Sequence, residues 1–378
     1  MPDKIIISFD DEEEEPAKPL PVEHEQVKVE KIVPVDSYAK GSRHLNKFYN
    51  SPLEFPSGID KSFYLESIVN LKDEFLNSIL ETSRHILLSS VRGSIYFVNK
   101  NTLSIDERFN YKEQSFEKTG IVIQDVAYIN SLDKIYKISE MTIEEIYVSG
   151  KGFYIWSDLN YDSEIIYFEF NPVSMTVKFH GTSGTIDFSV RELPASDIVV
   201  NSNYYAMVAG NELIIINKYD NEIQKFNIAP SDENILFQTN GKIFFTQNND
   251  EIYYINNGVM RYSGIKNRFM NSAAAVGNLI FTGNLNGWDA FTLTGNVVFS
   301  HSENFPCVVP ALSENIICIS MGDDLLLHNM HNLSEAENIY IKNGNGIISV
   351  MISRKAIYAL TKNGILALIN NSKINIKI

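Results

Sequence analysis

The sequence of 378 residues has few of the features that mark secreted or membrane-spanning proteins. Its only cysteines, Cys307 and Cys318, stand in apolar, strand-like stretches. This favours buried free thiols over a disulfide and agrees with a reducing compartment. No uninterrupted apolar stretch approaches the roughly 18 residues that a spanning helix needs, and the start, MPDKIIISFDDEEEEP, lacks the regions of a secretory signal. We therefore expect a cytoplasmic protein, or a nuclear one if the source is eukaryotic.

Basic residues are also scarce. The chain has 32 Lys and Arg against 47 Asp and Glu, for a net charge of −15. Attraction to a phosphate backbone needs clustered cationic side chains, so direct nucleic-acid binding is not expected. A local basic patch assembled from distant parts of the chain remains open.

Catalytic and metal-binding motifs are missing as well. There is no phosphate-cradling glycine loop, no Gly-x-Ser-x-Gly elbow and no paired-carboxylate signature. The only close histidine pair, His328 and His331, is predicted to lie at the end of a strand and in the following surface turn, and not in a metal site. His85 is predicted to begin a strand. We predict no cofactor and no metal. Enzymatic activity stays open, because an active site can draw single residues from distant parts of a chain; the sequence favours a non-catalytic protein.

Residues 1–50 are predicted to form a disordered acidic tail, because low hydrophobicity with charge and proline does not offset chain entropy. Its acid block either keeps the chain soluble or, with the apolar residues before it, forms a linear motif that binds a partner. Residues 37–50 are basic and aromatic; they contact a partner or anchor back onto the folded domain. The candidate partner-binding residues are Asp10, Asp11, Glu12, Glu13, Glu14, Glu15, Arg43 and Lys47.

A linker or short helix is predicted for residues 51–69. Residues 62–82 mix apolar positions at helical and strand spacing, so a short helix leading into the first repeat fits this stretch.

A recurring unit fills residues 70–378. Each copy reads as an inner strand, an apolar second strand, a Gly/Asn/Asp turn, an apolar third strand and a more polar fourth, as in NLIFTGNLNGWDAFTL and KAIYALTKNGILALIN. The mean step is about 39 residues, close to the length of a four-stranded propeller blade. The second strands are predicted to start near Ile86, Val126, Phe153, Tyr205, Ile243, Leu279, Ile316 and Ile357.

This pattern predicts an all-β fold, a β-propeller of seven or eight four-stranded blades. Stacked blades bury both faces of each sheet, and ring closure leaves only short edges. The small residues of SAAAV, 272–276, suit an inner strand near the axis. The count stays open because the steps around Phe153 are uneven. Either the second blade is short and the third carries an insertion around residues 180–195, or one unit is not a blade.

The units resemble the repeats of the pyrroloquinoline-quinone-like propellers and of divergent WD-repeat propellers. Some marks of those families are missing: the one Trp-Asp pair, Trp288-Asp289, opens a third strand, and no Gly-His pair opens a blade. The resemblance therefore implies a fold and no particular activity.

The leading functional hypothesis is a non-catalytic propeller scaffold that binds partner proteins in an intracellular, multi-subunit complex, with the acidic tail as an extra contact. The alternatives are an enzyme or small-ligand receptor with its site at the central channel, and a subunit of an RNA-processing complex. The sequence predicts no oligomeric state.

Overall fold

The computed structural model describes residues 47–57, 61–231, 234–248, 250–256 and 258–373. Within these ranges every regular element is a strand. No helix in the described part is long and apolar enough to cross a membrane.

Two strands precede the repeats, and eight sets of strands follow in chain order. The first half of the chain contains β1 Lys47–Phe48, β2 Lys61–Asn70, β3 Leu76–Glu81, β4 His85–Ser90, β5 Ser94–Asn99, β6 Ile105–Asn110, β7 Ile121–Ile123, β8 Val126–Asn130, β9 Lys134–Ser139, β10 Thr142–Val148, β11 Tyr154–Ile155, β12 Asn160–Asp162, β13 Glu164–Asn171, β14 Thr176–Gly181, β15 Gly184–Ser189, β16 Val199–Val200, β17 Tyr204–Ala209, β18 Glu212–Asn217 and β19 Ile223–Asn227. The second half contains β20 Leu236–Thr239, β21 Lys242–Gln247, β22 Glu251–Asn256, β23 Val259–Lys266, β24 Met270–Val276, β25 Leu279–Asn284, β26 Gly287–Thr292, β27 Val297–Ser302, β28 Val308–Leu312, β29 Ile316–Met321, β30 Asp324–Asn329, β31 Asn332–Tyr340, β32 Ile347–Ile352, β33 Ala356–Thr361 and β34 Ile365–Lys373.

These strands form eight sheets, which are the blades of a β-propeller; all pairings are antiparallel except that of β1, which joins blade 7 in parallel with β28. Blades 1 to 7 each use strands consecutive in sequence, from β3–β6 in blade 1 to β28–β31 in blade 7. The expected all-β propeller fold is confirmed, and the blade count is eight. Trp288-Asp289 stands in the third strand of blade 6, and SAAAV in its inner strand, as predicted.

Blade 8 closes the ring with strands from both ends of the described chain. Its sheet has the order β2-β34-β33-β32, so β2 is the outermost strand and pairs antiparallel with β34, from Lys61 opposite Lys373 to Asn70 opposite Ile365. Pairing with β2 satisfies the backbone groups along the outer edge of β34. The short helix expected within residues 62–82 is therefore absent; the stretch forms β2 and β3.

A hydrophobic core cluster lies at each of the eight junctions between neighbouring blades. Side chains alternate along each strand, so the two faces of a blade serve two junctions. In blade 1, for example, Leu87 and Phe97 pack toward blade 2, whereas Leu88 and Tyr96 pack toward blade 8. The cluster between blades 2 and 3 is the smallest, with only four buried apolar residues.

The uneven spacing near Phe153 has a local cause. The inner strand of blade 3 is interrupted, so β11 and β12 both pair with β13, and the second strand begins at Glu164 and not near Phe153. Residues 180–195 hold the end of β14, the fourth strand and the start of the next connection, so the alternative of an insertion is wrong. The other alternative is wrong as well, because each of the eight units is a blade. With that correction, successive second strands begin 37 to 41 residues apart.

The two cysteines are free and buried, as predicted. They lie in different clusters: Cys307 packs between blades 6 and 7, and Cys318 between blades 7 and 8. Burial raises the pKa of the Cys307 thiol to about 11, so both the position and the protonation state of this thiol favour a packing role.

Candidate protein-interaction face

One face of the ring carries both the turn between the second and third strands of each blade and the connection to the next blade. Strand direction alternates within a blade, which places these two kinds of loop at the same edge of every sheet. We call this side the upper face. It holds two surface features, one at blade 6 and one at blade 1, which are described after the channel.

Strand β1 narrows the central channel. It pairs in parallel with β28, the innermost strand of blade 7, on the side that faces the axis. Tyr49 continues this contact: its N–H donates to the carbonyl oxygen of Leu312 at 2.8 Å, and its hydroxyl donates to that of Val350 in blade 8 at 3.2 Å. The chain itself therefore occupies part of the space around the axis.

Three apolar side chains are exposed where blade 6 reaches the upper face. Phe269 precedes the inner strand, Leu285 lies in the turn between the second and third strands, and Phe305 lies in the connection to blade 7; their exposed fractions are 63%, 46% and 63%. We call these three residues the aromatic patch. The neighbouring Arg268 is also exposed.

Backbone contacts hold the three segments of the patch together. The N–H of Glu303 donates to the carbonyl oxygen of Asn286, and that of Cys307 to Asn284, both at 2.9 Å. Met270 is the pairing partner of Asn284 across the sheet. These contacts fix the connection before blade 7 and the start of the inner strand against one turn.

Buried amides beneath the patch fix the same segments. Asn267 donates to Thr282 Oγ1 at 2.6 Å and to Asp289 Oδ2 at 2.8 Å, and its own oxygen accepts a hydrogen bond from Asn284 Nδ2 at 3.1 Å. A buried network with its groups paired is rigid. Gly287 completes the turn, since its φ is +138° and a Cβ there would meet the carbonyl oxygen of His301 at 1.9 Å. The exposed side chains thus stand on a fixed base.

Phe269 has a left-handed backbone, with φ of 57°. A bulky residue in this region costs free energy, and such strain persists where the surroundings enforce it, often at functional sites. Here the strained residue is a phenylalanine that turns most of its side chain to solvent. Packing in the core does not explain why a phenylalanine occupies this exposed, left-handed position.

The second feature is a cavity of about 300 Å³ at blade 1. We call it the cationic pocket; its walls are Lys72, Asp73, Arg92, Ser94, Arg108, Asn110 and Lys112. The turn that carries Arg92 is held against the following connection by Gly93, where a Cβ would meet the carbonyl oxygen of Tyr111 at 2.1 Å.

Asp73 anchors the pocket from inside. Its carboxylate accepts hydrogen bonds from the Tyr96 hydroxyl at 2.9 Å, the Phe75 N–H at 3.0 Å and the Ser90 hydroxyl at 3.2 Å. Burial, together with this contact to Asp73, raises the pKa of Tyr96 to about 12, so Tyr96 stays a hydrogen-bond donor at neutral pH. Asp73 is 8% exposed and serves the fold more than the surface.

A third group of polar residues joins blades 2 and 3. Glu169 is fully buried; it accepts a hydrogen bond from the Tyr147 hydroxyl at 2.8 Å, and its other oxygen lies 3.5 Å from Nε2 of His180, which stacks on Tyr167. Burial alone would raise the pKa of Glu169, but contacts from His180, Ser149 and Tyr147 hold it below its usual value. These contacts supplement the smallest apolar junction and do not form an open site.

Most of the predicted partner-binding residues cannot be compared with the structure. The acid block, Asp10 to Glu15, and Arg43 lie outside the described residues. Lys47 belongs to β1, whose backbone pairs with Ala311, so residues 47 and 48 form a strand and are not part of a disordered segment. Its side chain lies outside the described part.

The histidines have separate positions. His331 is exposed in the turn after β30, and His328 lies at the end of that strand, as predicted. His328 is not at the surface, however: it is 2% exposed and packs edge-on against Trp288 at 4.7 Å. Its ring Nδ1 lies 3.0 Å from the carbonyl oxygen of Leu333. His85 begins β4, as expected. No group of three or more metal-ligating side chains occurs among the described residues.

Sequence reasoning missed the aromatic patch and the cationic pocket. Each is assembled from loops about 15 to 40 residues apart, and the exposure of a loop phenylalanine is not readable from periodicity. The available signal was Leu285-Asn286-Gly287, a turn with an apolar residue at its tip.

Comparison with solved structures shows the fold alone. No protein-family model matches the chain, and no curated protein matches it. BamB from Moraxella catarrhalis is similar, with a TM-score of 0.60 at 9% identity over 82% of this chain and 99% of that chain. Sqt1 from Saccharomyces cerevisiae has a TM-score of 0.59 at 9% identity over the same shares, and the computationally designed Ika8 protein 0.61 at 9% over 81% and 98%. The expected resemblance to the quinone-like and WD-repeat propellers is confirmed at the level of the fold.

Proposed function

We propose that this protein is a non-catalytic propeller that binds a partner protein through the upper face of blade 6, as a subunit of an intracellular complex. The observation that carries this proposal is the aromatic patch. Two exposed phenylalanines on one rigid surface, next to an exposed arginine, are residue types enriched at protein interfaces, and Leu285 adds apolar area beside them.

The energetics agree with this assignment. Isolated apolar residues at a protein surface need no explanation, but adjoining ones indicate an interaction site. A phenylalanine side chain that becomes buried contributes about 1.5 to 3 kcal/mol. Because buried contacts already fix the backbone beneath the patch, little ordering is needed on binding.

The channel offers less support for the alternative of an enzyme or small-ligand receptor. Strand β1 and Tyr49 occupy space beside the axis. The fully buried carboxylate of Glu169 lies between blades 2 and 3 and pairs with Tyr147 and His180. We therefore place partner binding on the upper face and not in the channel.

The acid block, Asp10 to Glu15, is proposed as an additional contact that meets a basic surface of the partner. Six adjacent carboxylates favour fast, salt-sensitive encounter and add less to the lifetime of a complex.

A capture experiment tests the proposal with three forms of the full chain: the unchanged protein, the double variant Phe269→Asp/Phe305→Asp, and Val173→Asp. Val173 is 94% exposed in the corresponding turn of blade 3, so its variant adds a carboxylate to the same face away from the patch. We expect one stoichiometric partner from native cells with the unchanged protein and the control, and none with the double variant.

Capture of the same partner by all three forms would contradict the assignment to blade 6. Absence of any stoichiometric partner, with the unchanged chain folded, would contradict the binding function itself. A chain in which Asp10 to Glu15 are changed to Asn and Gln is expected to keep the partner and to lose salt dependence.

A further inference from the structure

Two adjoining cavities lie where blades 1 and 2 meet the upper face. The cationic pocket opens beside a second cavity of about 380 Å³, and both are lined by Lys112. The second cavity has apolar walls from Tyr111, Tyr136 and Ile143. Its polar walls are Lys112, Glu113, Gln114, and Lys134 and Glu145, which form an ion pair at 2.6 Å. Together the two cavities form a cleft that is cationic at one end and partly apolar at the other.

The cationic end has an excess of positive charge in an acidic protein. Four cations, on Lys72, Arg92, Arg108 and Lys112, face one carboxylate, that of Asp73. All four cationic side chains are exposed, and within the described ranges none of them forms a salt bridge. Their charge is available to a ligand.

The two guanidinium groups are held in place. Arg92 lies over the ring of Phe75 at 3.4 Å, and Arg108 over that of Tyr96 at 4.9 Å. Arg108 also donates a hydrogen bond from Nη2 to Ser94 Oγ at 3.0 Å. Planar guanidinium groups bind carboxylates with two parallel hydrogen bonds, and stacking on a ring reduces the freedom that binding would remove.

The strained backbone of Lys72 is a further observation. It has a left-handed φ of 54°, with its N–H fixed by the side chain of Asn70 at 2.8 Å. This conformation holds an exposed lysine at the rim of the pocket. Glycine or asparagine would adopt it at lower cost.

We propose that this cleft binds an acidic peptide segment of a second protein, with carboxylates at the two arginines and two lysines and an adjoining apolar side chain in the cavity of Tyr111, Tyr136 and Ile143. Charge complementarity and the neighbouring apolar wall favour this ligand. A long polyanion such as RNA is repelled by the net charge of −15, whereas a short acidic segment meets mainly the local field. This site is distinct from the aromatic patch, and either proposal can fail alone.

The test is fluorescence anisotropy with the full chain and a labelled peptide of six Asp and Glu residues followed by Leu-Phe. The variant Arg92→Gln/Lys112→Gln is compared with Arg191→Gln/Lys342→Gln, which removes the same charge elsewhere on the upper face. We expect at least a tenfold loss of affinity for the first variant and less than a twofold loss for the second. A peptide with Asn and Gln in place of the acids is expected to bind at least tenfold more weakly.

Five outcomes would overturn the proposal. Equal losses in both double variants, or equal binding of the neutral peptide, would show that the cleft does not select acids. Complete displacement of the peptide by a few millimolar inorganic phosphate would identify a site for small anions instead. Tighter binding of a single-stranded RNA of equal charge would identify a nucleic-acid site. Tenfold tighter peptide binding after Asp10 to Glu15 are neutralised would show that the chain's own acid block occupies the cleft.

Discussion

The aromatic patch of blade 6 and the cationic pocket of blade 1 lie on the same face and have opposite chemistry. In each, a large exposed side chain stands on a left-handed backbone: Phe269 in the patch and Lys72 in the pocket. In each, buried hydrogen bonds lie below the exposed groups, through Asn267 in one and Asp73 in the other. The comparison shows that blades with the same strand arrangement can carry loops of different chemistry, apolar at blade 6 and cationic at blade 1.

The largest expected difference is in binding of the partner. Phe269→Asp and Phe305→Asp should each weaken binding by at least roughly 30-fold, because truncating a hot-spot residue costs about 2 kcal/mol and a buried carboxylate adds to that. Titration calorimetry with the isolated partner measures both. The cationic variant Arg92→Gln should change this affinity by less than threefold, and an equal loss would remove the distinction between the two sites.

The anchor below the pocket is expected to matter for stability. Tyr96→Phe removes one of the donors to the buried carboxylate of Asp73 and should lower the free energy of unfolding by about 1 to 2 kcal/mol. Denaturant titration measures this effect, with Tyr219→Phe, an exposed tyrosine, as the matched control. If Tyr96→Phe left the free energy of unfolding unchanged, the hydrogen bond from Tyr96 to Asp73 would not contribute to stability.

Binding at the two surfaces should differ in its dependence on salt concentration. Between 50 and 200 mM NaCl, binding of the acidic peptide at the pocket is expected to weaken several-fold, since screening reduces interactions between exposed charges. Binding at the aromatic patch should hardly change after the acid block has been neutralised. Parallel salt dependence at both sites would contradict the assignment of their chemistry.

The smallest expected effect is the change in stability when the backbone strain at Phe269 is relieved. Phe269→Gly should raise the free energy of unfolding by about 0.5 to 1 kcal/mol, because glycine adopts a left-handed backbone without a Cβ penalty. Phe305 does not have such a backbone, so Phe305→Gly should lower stability by up to about 1 kcal/mol. Both variants should bind the partner more weakly. A stability loss in Phe269→Gly would show that its ring contributes packing.

Much of the fold was predictable because the repeat is encoded locally. Apolar second and third strands with a tight turn between them, as in 279–292, follow directly from the sequence pattern. Two features were not. The inner strand of blade 3 is interrupted after Ile155, which shifts the apparent repeat, and β2 pairs with a strand about 300 residues away, which no local pattern indicates.

The sites were harder to predict than the fold. The sequence shows a turn at Leu285, but it does not show that Phe269 and Phe305 belong to the same surface, because backbone contacts between separate connections bring them together. Likewise, the basic residues of blade 1 are spread from Lys72 to Lys112, over four separate segments that meet at one cavity.

The most direct test of the central claim is site-specific photo-crosslinking in native cells, with benzoylphenylalanine at position 305 or, for comparison, at position 173. Both positions are exposed on the upper face. The proposed function predicts a single crosslinked partner from position 305 and none from position 173. The same partner from both positions, or none from position 305 with the folded protein, would contradict binding through blade 6.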